Sequence, residues 1–438
     1  MTNSISRRQF VGWSIAGAGI ATLAGCSATG KGGSGSGSGS GTSSLDVSWY
    51  GGDPVHAAMK KVLALYGAKH AGVKISEQHS AFADYWDKLA TETAARDAPD
   101  VMRMSMTYFT DYAERGALFD LTDFVGKSID TSGMSTGVAK SGILHGKQYG
   151  IGQSSIANAI FINNELVDSL GVAKPDENWT WSSFADWSKS VGEAGGGKVF
   201  GSGDMGGHFE IFEPFARQHG TELFTSGGKS LAVSRDLIEE WWSYWADMRK
   251  AKAVPPASET ASETGFDTSA VVKGVVPVTF GWVQQIQFLQ PLMKQTLDLM
   301  VPPTVAGGKP GYYVDSQDMW SVASTSKNPD KAADLIDFMI NDDAAIKALG
   351  VVLGVPPSKH ATDVLALDPS TDAGKAVKYA QDLSTSDKAS TPPAPWPKGY
   401  SQLSTLFTKT AQDISFGKSN PAQGATDFYG QAKQVLSQ

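Results

Sequence analysis

The sequence predicts an α/β protein built from more than one folded unit. Strand-forming and helix-forming stretches alternate from Leu45 onward, which is the pattern of a sheet with helices packed on its faces. Ser44 to the C-terminus comprises almost 400 residues, too many for one simple hydrophobic core and suitable for two or three domains. Hydrophobic residues make up 41% and charged residues 19% of the chain, the balance expected for a folded globular protein.

The first predicted elements alternate regularly. Leu45–Tyr50 alternates in character and ends at a glycine pair, which predicts a strand. Asp53 is expected to cap the following helix, with Pro54 in its first turn. After these come a strand at 73–75, a helix at 84–96, a strand at 98–105 and a helix that closes near Gly116.

The later part of the chain is richer in helices. Arg235–Lys250 is strongly helical, and Trp241, Tyr244 and Trp245 share one face, where core packing is favoured over ligand contact. A strand is predicted at 271–282, in which Pro277 indicates an edge position or a bulge. The remaining predicted elements are two extended pieces and a helix in 147–172, a helix from Thr180, a strand at 318–324, helices at 331–339 and 343–349, and a mostly helical end from Tyr400.

Residues 1–25 have the features of an export signal. Arg7 and Arg8 precede a weakly apolar run rich in Gly and Ala, and the pair resembles a twin-arginine signal. That run is too short and too glycine-rich to span a hydrocarbon core of ~30 Å. The quartet LAGC at 23–26 resembles the bacterial lipobox, whose cysteine is lipidated and becomes the first mature residue. Cys26 is the only cysteine in the sequence, so neither a disulfide nor a Cys-based zinc site can form within the chain.

Residues 26–44 are therefore predicted to be a lipidated cysteine followed by a Gly/Ser tether. A random coil of that composition and length spans about 23 Å. Removal of the two signal arginines changes the formal net charge from −8 to −10, and no cluster of five Lys or Arg occurs, so nucleic acid is not an expected partner. No second hydrophobic run of membrane length is present, which predicts an anchored body and not an inserted one.

Five segments in order carry a resemblance to a known family. They are "YWDKLATETAARDAPDVMRMS", "AERGALFDLTDF", "YGIGQSSIANAIFINNELVDSLGV", "TWSSFADW" and "WSVASTSKNPDKAADLIDFM". From about Leu45 to the C-terminus, the chain resembles the family 1 solute-binding proteins of bacterial ABC importers, the maltose-binding-protein group. The resemblance implies a periplasmic-binding-protein type II fold, with two lobes, a ligand cleft between them and crossing hinge segments that allow closure.

The resemblance also implies the domain limits. Lobe 1 is expected to comprise 45–155 plus about 319–365, and lobe 2 to comprise 156–312 plus about 366–438. The crossings are expected near 152–156, at 313–318 and near 360–370.

Sugar recognition requires flat apolar faces against ring C–H groups and planar hydrogen-bonding groups for hydroxyls. Aromatic residues in loops that face the expected cleft meet the first requirement, and Trp282 and Phe209 fall near the family's stacking positions by resemblance. Polar residues after the first strand and at the expected hinges can supply the hydrogen-bonding groups for sugar hydroxyls. The predicted ligand-binding residues are Trp282, Phe209, Trp396, Asp53, Gln153 and Asp318.

Five of these six residues also have a structural interpretation. Gln153 and Asp318 are equally suited to hinge hydrogen bonds, Trp396 to anchoring its loop, and Trp282 to the core of the second lobe. For Asp53 the alternative is the helix cap. Met106 stands where some relatives have an aromatic residue, which weakens the first-lobe side of the expected sugar site.

These features predict a lipid-anchored, extracytoplasmic receptor at the cell surface or in the periplasm. It would capture a mono- or oligosaccharide as a monomer and deliver it to ABC permease subunits, with no catalysis, cofactor or metal. Two alternatives stay open: a surface glycoside hydrolase, whose paired carboxylates are usually far apart in sequence, and a receptor for a polyol or phosphorylated alcohol. No histidine pair has the i, i+4 zinc spacing, and no GxSxG elbow with its strand and helix is present.

Overall fold

A computed structural model of the chain describes residues 43–437. The predicted export signal, Cys26 and nearly all of the predicted tether lie outside these residues. Within 43–437, none of the helices combines the length and the apolar character needed to cross a membrane.

Strands in the described part of the chain form three sheets. They are β1 Ser43–Tyr50, β2 Val73–Ser80, β3 Val101–Ser105, β4 Ile143–Leu144, β5 Lys147–Gln148, β6 Ile151–Gly152, β7 Asn158–Asn163, β8 Val278–Trp282, β9 Leu297–Met300 and β10 Asp318–Val322. The first sheet has the order β2-β1-β3-β10-β6, the second has the order β8-β7-β9, and β4 and β5 form a hairpin. In the first sheet β1 is parallel to β2 and β3, whereas β10 is antiparallel to β3 and β6.

Helices cover these sheets and form most of the C-terminal part. They are α1 Asp53–Lys69, α2 Phe82–Ala94, α3 Met106–Glu114, α4 Thr136–Lys140, α5 Asn164–Ser169, α6 Trp181–Ala194, α7 Phe209–Gln218, α8 Arg235–Lys250, α9 Ala257–Thr260, α10 Ile286–Leu289, α11 Pro329–Asn341, α12 Asp343–Leu349, α13 Lys359–Leu365, α14 Asp372–Thr385, α15 Tyr400–Ser415 and α16 Pro421–Leu436.

The chain passes between the two larger sheets along segments that pair with each other. It leaves β6 and enters β7 through residues 153–157, and it returns from β9 to β10 through residues 301–317. Ile156 and Asp315 exchange backbone hydrogen bonds of 2.8 and 3.2 Å where these segments meet. This pairing fixes the place where the two sheets join, while the lobe limits expected from the sequence stay predictions.

The first sheet buries its apolar face under α1, α11 and α12. Val55, Met59, Val62 and Tyr66 lie one helical turn apart on α1 and are buried, in one cluster with Trp320 of β10. Burial of each such side chain contributes about 1.5–3 kcal/mol, so this face holds the helix on the sheet.

A second core is aromatic and joins α8 to α15 and α16. The Trp242 ring centre lies 4.8 Å from that of Phe407, and Phe407 lies 5.3 Å from Phe428. Trp241 and Trp245 are fully buried in the same cluster. The prediction that this helical face packs in the core is confirmed.

Most predicted elements are present, although some limits differ. The helices Arg235–Lys250 and Asp343–Leu349 begin and end as the sequence predicts. The strand predicted at 271–282 begins only at Val278. Pro277 precedes it and has no N–H to donate to a ladder, which explains the later start.

Candidate functional site

A polar network joins the inner strands β1, β3 and β10 of the first sheet to the crossing segment that follows β6. Arg103 on β3 donates from Nη2 to Asp318 Oδ2 at 2.9 Å, and its guanidinium carbon lies 4.3 Å from the centre of the Tyr50 ring. The Tyr50 hydroxyl donates to the other carboxylate oxygen of Asp318. When the Gln153 amide oxygen faces Arg103, it accepts from Nη2 at 2.8 Å and from Nε at 3.0 Å.

The network brings together two of the predicted ligand residues, Gln153 and Asp318. Arg103, which joins them, was missed in the sequence because nothing in its local pattern distinguishes it. A buried cation such as Arg103 requires paired acceptors, and both residues supply them. The contacts favour the hinge interpretation of Gln153 and Asp318, and ligand contact by either stays a prediction.

A cavity of about 960 Å³ lies where the returning crossing segment meets α4 and the stretch 384–396. Its volume is at the upper end of the range of about 300–1,000 Å³ that small-molecule sites occupy. The lining combines hydroxyl, amide, carboxylate and aromatic side chains with prolines. Its members include Met106, Thr136, Lys140, Ser141, Asp315, Gln317, Ser384, Ser386, Ser390 and Trp396.

One wall of the cavity is the proline-rich segment, which we define as residues 391–397 (TPPAPWP). Proline fixes φ near −65°, so the segment is stiff before it binds anything. Gly137 on α4 permits its close approach, because a Cβ there would lie 2.8 Å from Pro392 Cγ. Thr110 on α3 donates a side-chain hydrogen bond to the carbonyl of Trp396, and Arg217 on α7 donates to the carbonyl of Thr391 at 2.5 Å.

Trp396 both lines the cavity and anchors the proline-rich segment. Its ring stacks on Tyr400 with centroids 3.9 Å apart and planes 8° from parallel. Its indole Nε1 lies 3.3 Å from each carboxylate oxygen of Glu213, and the residue is only 5% exposed. These contacts favour the loop-anchor interpretation. Trp396 also forms part of the cavity wall, and ligand contact by Trp396 stays a prediction.

Two buried carboxylic acids lie beside this wall. Glu213 is 1% exposed and accepts from the Tyr313 hydroxyl at 2.6 Å. Burial raises the pKa of the Glu213 carboxyl to about 7, although the hydrogen bond from Tyr313 and the charge of Arg217 both lower this pKa. Asp315 is 4% exposed, and both its oxygens accept from Gln317 Nε2 at 2.9 Å. Burial, with a further contribution from Glu213, raises the pKa of Asp315 to about 7. Perturbed acids at a cavity wall are typical of functional sites.

A second cavity of about 950 Å³ lies on the other side of the proline-rich segment. It shares Ile143 and residues 393–395 with the first cavity, and Glu213 lines it. The segment is therefore a partition between two spaces, with the Glu213 carboxyl on one side and Asp315 on the other.

Trp282 lies outside the lining of both cavities. It ends β8 opposite Asn158, it is partly exposed, and its backbone N–H donates to Gln285 Oε1 at 3.0 Å. The space beside Gly281 is filled by Gln285, because a Cβ at Gly281 would lie 2.1 Å from its Oε1. Gly281 therefore leaves no room for a ligand in this conformation, and ligand contact by Trp282 itself stays a prediction.

The structure corrects the expectation for Phe209. This residue begins α7, is 0% exposed, and has its ring centre 4.9 Å from that of Phe407 and 5.5 Å from that of Tyr400. It belongs to the aromatic core because the apolar face of α7 turns toward α15. A ligand has no access to it.

Asp53 is the first residue of α1, and Gly52 takes the N-cap position with no side-chain cap hydrogen bond. The predicted cap is therefore corrected: Asp53 is exposed in the first turn, where its negative charge favours the positive end of the helix dipole. It lies outside the lining of the two cavities. Among residues 43–437, no three His, Cys, Asp or Glu side chains are grouped closely enough to hold a metal ion.

Several solved structures have a similar fold. A family 1 extracellular solute-binding protein from Alicyclobacillus acidocaldarius is 29% identical, with a TM-score of 0.70 over 91% of this chain and 99% of that one. A periplasmic oligogalacturonide-binding protein from Yersinia enterocolitica, in complex with saturated digalacturonic acid, is 20% identical with a TM-score of 0.77 over 90% and 98% of the chains. An ABC substrate-binding protein from Listeria monocytogenes, in complex with cycloalternan, is 19% identical with a TM-score of 0.77 over 90% and 99%.

These similarities define the fold as the two-lobed α/β fold of periplasmic solute-binding proteins. Residues 52–346 match the family model described as bacterial extracellular solute-binding protein, and this match covers more than half of the chain. The chain belongs to that family, as its sequence segments indicate.

The raised pKa of Glu213 predicts a pH-dependent cost of folding. Between its ordinary pKa of 4.5 and about 7, the unfolded chain releases this proton while the folded protein keeps it, so stability falls as pH rises through that window. Relative to the wild type, Glu213→Gln should change little at pH 4.5 and increase the free energy of unfolding at pH 8 by roughly 3 kcal/mol. Denaturant unfolding at both pH values measures this difference.

The matched control is Glu193→Gln, the same change at a side chain that is 68% exposed. It should alter stability equally at the two pH values. In the Glu213→Gln variant the new amide oxygen can still accept from Tyr313 and Trp396, so the substitution removes the charge and keeps the contacts. An equal effect of Glu213→Gln at pH 4.5 and pH 8 would contradict the assigned pKa.

Proposed function

We propose that the protein is an extracytoplasmic carbohydrate receptor that passes a mono- or oligosaccharide to an ABC importer, without catalysis. The observation that carries this proposal is the cavity of about 960 Å³ at the join of the two sheets, with Trp396 in its wall. An aromatic ring supplies the flat apolar face that a sugar ring needs, and the surrounding hydroxyl, amide and carboxyl groups match sugar hydroxyls. The ligands of the Yersinia and Listeria proteins support a saccharide as the class of ligand.

The hydrolase alternative would need two carboxyl groups that flank one glycosidic bond. Glu213 and Asp315 are the buried acids with raised pKa values at this place. The proline-rich segment separates the cavity that Asp315 lines from the one that Glu213 lines. This separation favours binding over hydrolysis.

The remaining parts of the proposal concern the whole molecule. We propose that the receptor is a monomer whose lobes close on the ligand about the crossings at 152–156, 313–318 and 360–370. Trp282 and Asp53 remain proposed second contacts, and Cys26 is proposed to carry the lipid anchor after removal of residues 1–25. A polyol or phosphorylated alcohol is the alternative ligand, and a panel that contains both classes separates it from a saccharide.

Binding of a saccharide should raise the melting temperature and make the protein more compact. Ligand at 100 times its dissociation constant stabilises the folded state by about 2.7 kcal/mol. Thermal unfolding of residues 43–438 against a panel of saccharides and polyols, followed by small-angle scattering with the best ligand, measures both effects. Formation of hydrolysis products, or the absence of any shift across the saccharides, would contradict the receptor proposal.

Trp396→Ala should weaken the best saccharide about 30- to 1,000-fold, the loss expected for a central aromatic anchor. Trp396→Phe keeps a ring at the wall and loses the indole N–H to Glu213, so it should retain most of the affinity. Titration calorimetry and thermal unfolding of both variants distinguish lost contact from lost folding.

Trp282→Ala is the companion variant, and if Trp282 stacks on the ligand it should weaken binding by a similar factor with little loss of stability. Unchanged affinity in Trp282→Ala alone would assign the stacking contact to Trp396. If neither variant weakens binding of the saccharide, the proposed stacking contacts are wrong.

Cys26→Ser in the full-length chain should move the protein from the membrane fraction to the soluble fraction while its saccharide affinity is unchanged. Lipoproteins of this pattern carry several acyl chains, and removal of the acceptor thiol removes all of them. Fractionation followed by immunoblotting measures the change. Retention of the variant in the membrane would refute anchoring through Cys26.

A further inference from the structure

The floor of the 960 Å³ cavity presents hydrogen-bond acceptors. Asp315 and Gln317 both line it and are 4% and 7% exposed. Gln317 Nε2 is already engaged with both oxygens of Asp315, whereas Gln317 Oε1 is buried and has no hydrogen-bond partner among the described residues. An orphaned buried acceptor costs about 1–3 kcal/mol, which a ligand donor would recover once the Gln317 side chain turns its amide oxygen toward the cavity.

The charges around this floor are also predominantly negative. Glu213 acts on Asp315 by repulsion and raises its pKa, and Arg217 acts in the opposite sense. The Arg217 guanidinium donates from Nη2 to Thr391 O at 2.5 Å, and its Nε lies 3.3 Å from Glu222 Oε1. Its carbon lies 5.2 Å from the Tyr313 ring centre, and its Nη1 is buried with no hydrogen-bond partner among the described residues.

Among the described residues that line the cavity, Lys140 is the cation, and it is exposed on α4. The buried end of this described lining therefore has no cation to receive an anion. A hydroxyl can donate to these acceptors, an ammonium can only donate, and a carboxylate can only accept. A carboxylate at this floor would also lie beside Asp315, with the Glu213 acid behind the proline-rich segment, in a setting where like charges repel strongly.

We propose that this cavity takes neutral or amine-bearing saccharides and rejects uronic acid saccharides, and that Asp315 with Gln317 makes the selection. This inference rests on the proposed carbohydrate function and names the class of sugar. The same fold holds a digalacturonic acid in the Yersinia protein, so the fold does not determine the ligand's charge. The selection follows from this chain's own acceptors and acids.

The test compares saccharides that differ in one substituent. Galactobiose and digalacturonic acid form one pair, and cellobiose and the glucosamine disaccharide form another, each titrated at pH 8 and pH 5.5. At pH 8 the wild type should prefer galactobiose over digalacturonic acid by at least about 30-fold. At pH 5.5 the preference should shrink several-fold, because Asp315 gains a proton while the uronate carboxyls remain ionised.

Asp315→Asn removes the charge and keeps an acceptor for Gln317. It should reduce the preference at pH 8 at least tenfold, and the preference should change less between the two pH values than in the wild type, because Glu213 still gains a proton over this range whereas the substituted side chain does not titrate. Asp387→Asn is the matched control, because Asp387 is exposed in the same stretch and lies outside the cavity lining. It should leave the preference unchanged. Since the wild-type pH series needs no variant, the inference stays testable even if Asp315→Asn folds poorly.

The outcomes separate this inference from the function on which it rests. If no saccharide of the series binds, the carbohydrate receptor proposal itself is wrong. If digalacturonic acid binds as tightly as galactobiose, or Asp315→Asn keeps the full preference, the selection inference is wrong while the receptor proposal stands.

Discussion

The pairing of the two crossing segments is the constraint on which the site depends. Ser316, near the end of the returning segment, is fully buried, and its hydroxyl accepts from the backbone N–H of Gln153 at 3.1 Å and of Ser154 at 3.3 Å. The same hydroxyl donates to the carbonyl of Asp318 at 2.5 Å. These bonds satisfy backbone groups that would otherwise be orphaned inside the protein. They also fix the backbone on either side of Ser316, which places Asp315 and Gln317 at the cavity floor.

The cavity also depends on the buried ionisable groups that hold the proline-rich segment in place. The proline-rich segment is attached to α7 through Arg217 and Glu213 and to α3 through Thr110. Because these contacts involve buried ionisable groups, the wall is stabilised by a network that also costs folding free energy at high pH. A binding site gains from this arrangement, since a preorganised wall loses little conformational entropy when a ligand arrives.

The returning segment connects the polar network of the first sheet to the cavity through neighbouring residues. Asp318 pairs with Arg103 in the first sheet, and Asp315, three positions earlier, faces the cavity. A rotation at this crossing would move Asp315 relative to the fixed Asp318–Arg103 pair. Hinges that absorb backbone rotation at a few element-terminal residues are the usual device for lobe closure.

Much of the fold follows from local sequence signals. The α8 helix is bounded as predicted because Ser234 accepts from the Leu237 N–H at its start, and because its tryptophans recur on one face. The α14 helix was not predicted, although Ala376, Tyr379, Ala380 and Leu383 recur at helical spacing. Only two of those four are large, so the periodic signal is weak.

The site was less predictable than the fold, for a physical reason. Trp396 was selected as a loop aromatic, and it lines the cavity, whereas Phe209 could not be told from a ligand contact without the packing of α7 on α15. Asp315 lies within the crossing predicted at 313–318, but its burial beside Glu213 depends on a contact between residues about a hundred positions apart. Burial and charge coupling of that kind are properties of the tertiary structure.

The most direct measurement of the central claim is a crystal structure of the protein with a bound saccharide. The predicted result is a sugar ring against the Trp396 indole, with a ligand hydroxyl or amine donating to Gln317 Oε1 or to an Asp315 oxygen. A saccharide held elsewhere, with Trp396 and Asp315 unchanged and out of contact with it, would contradict the claim.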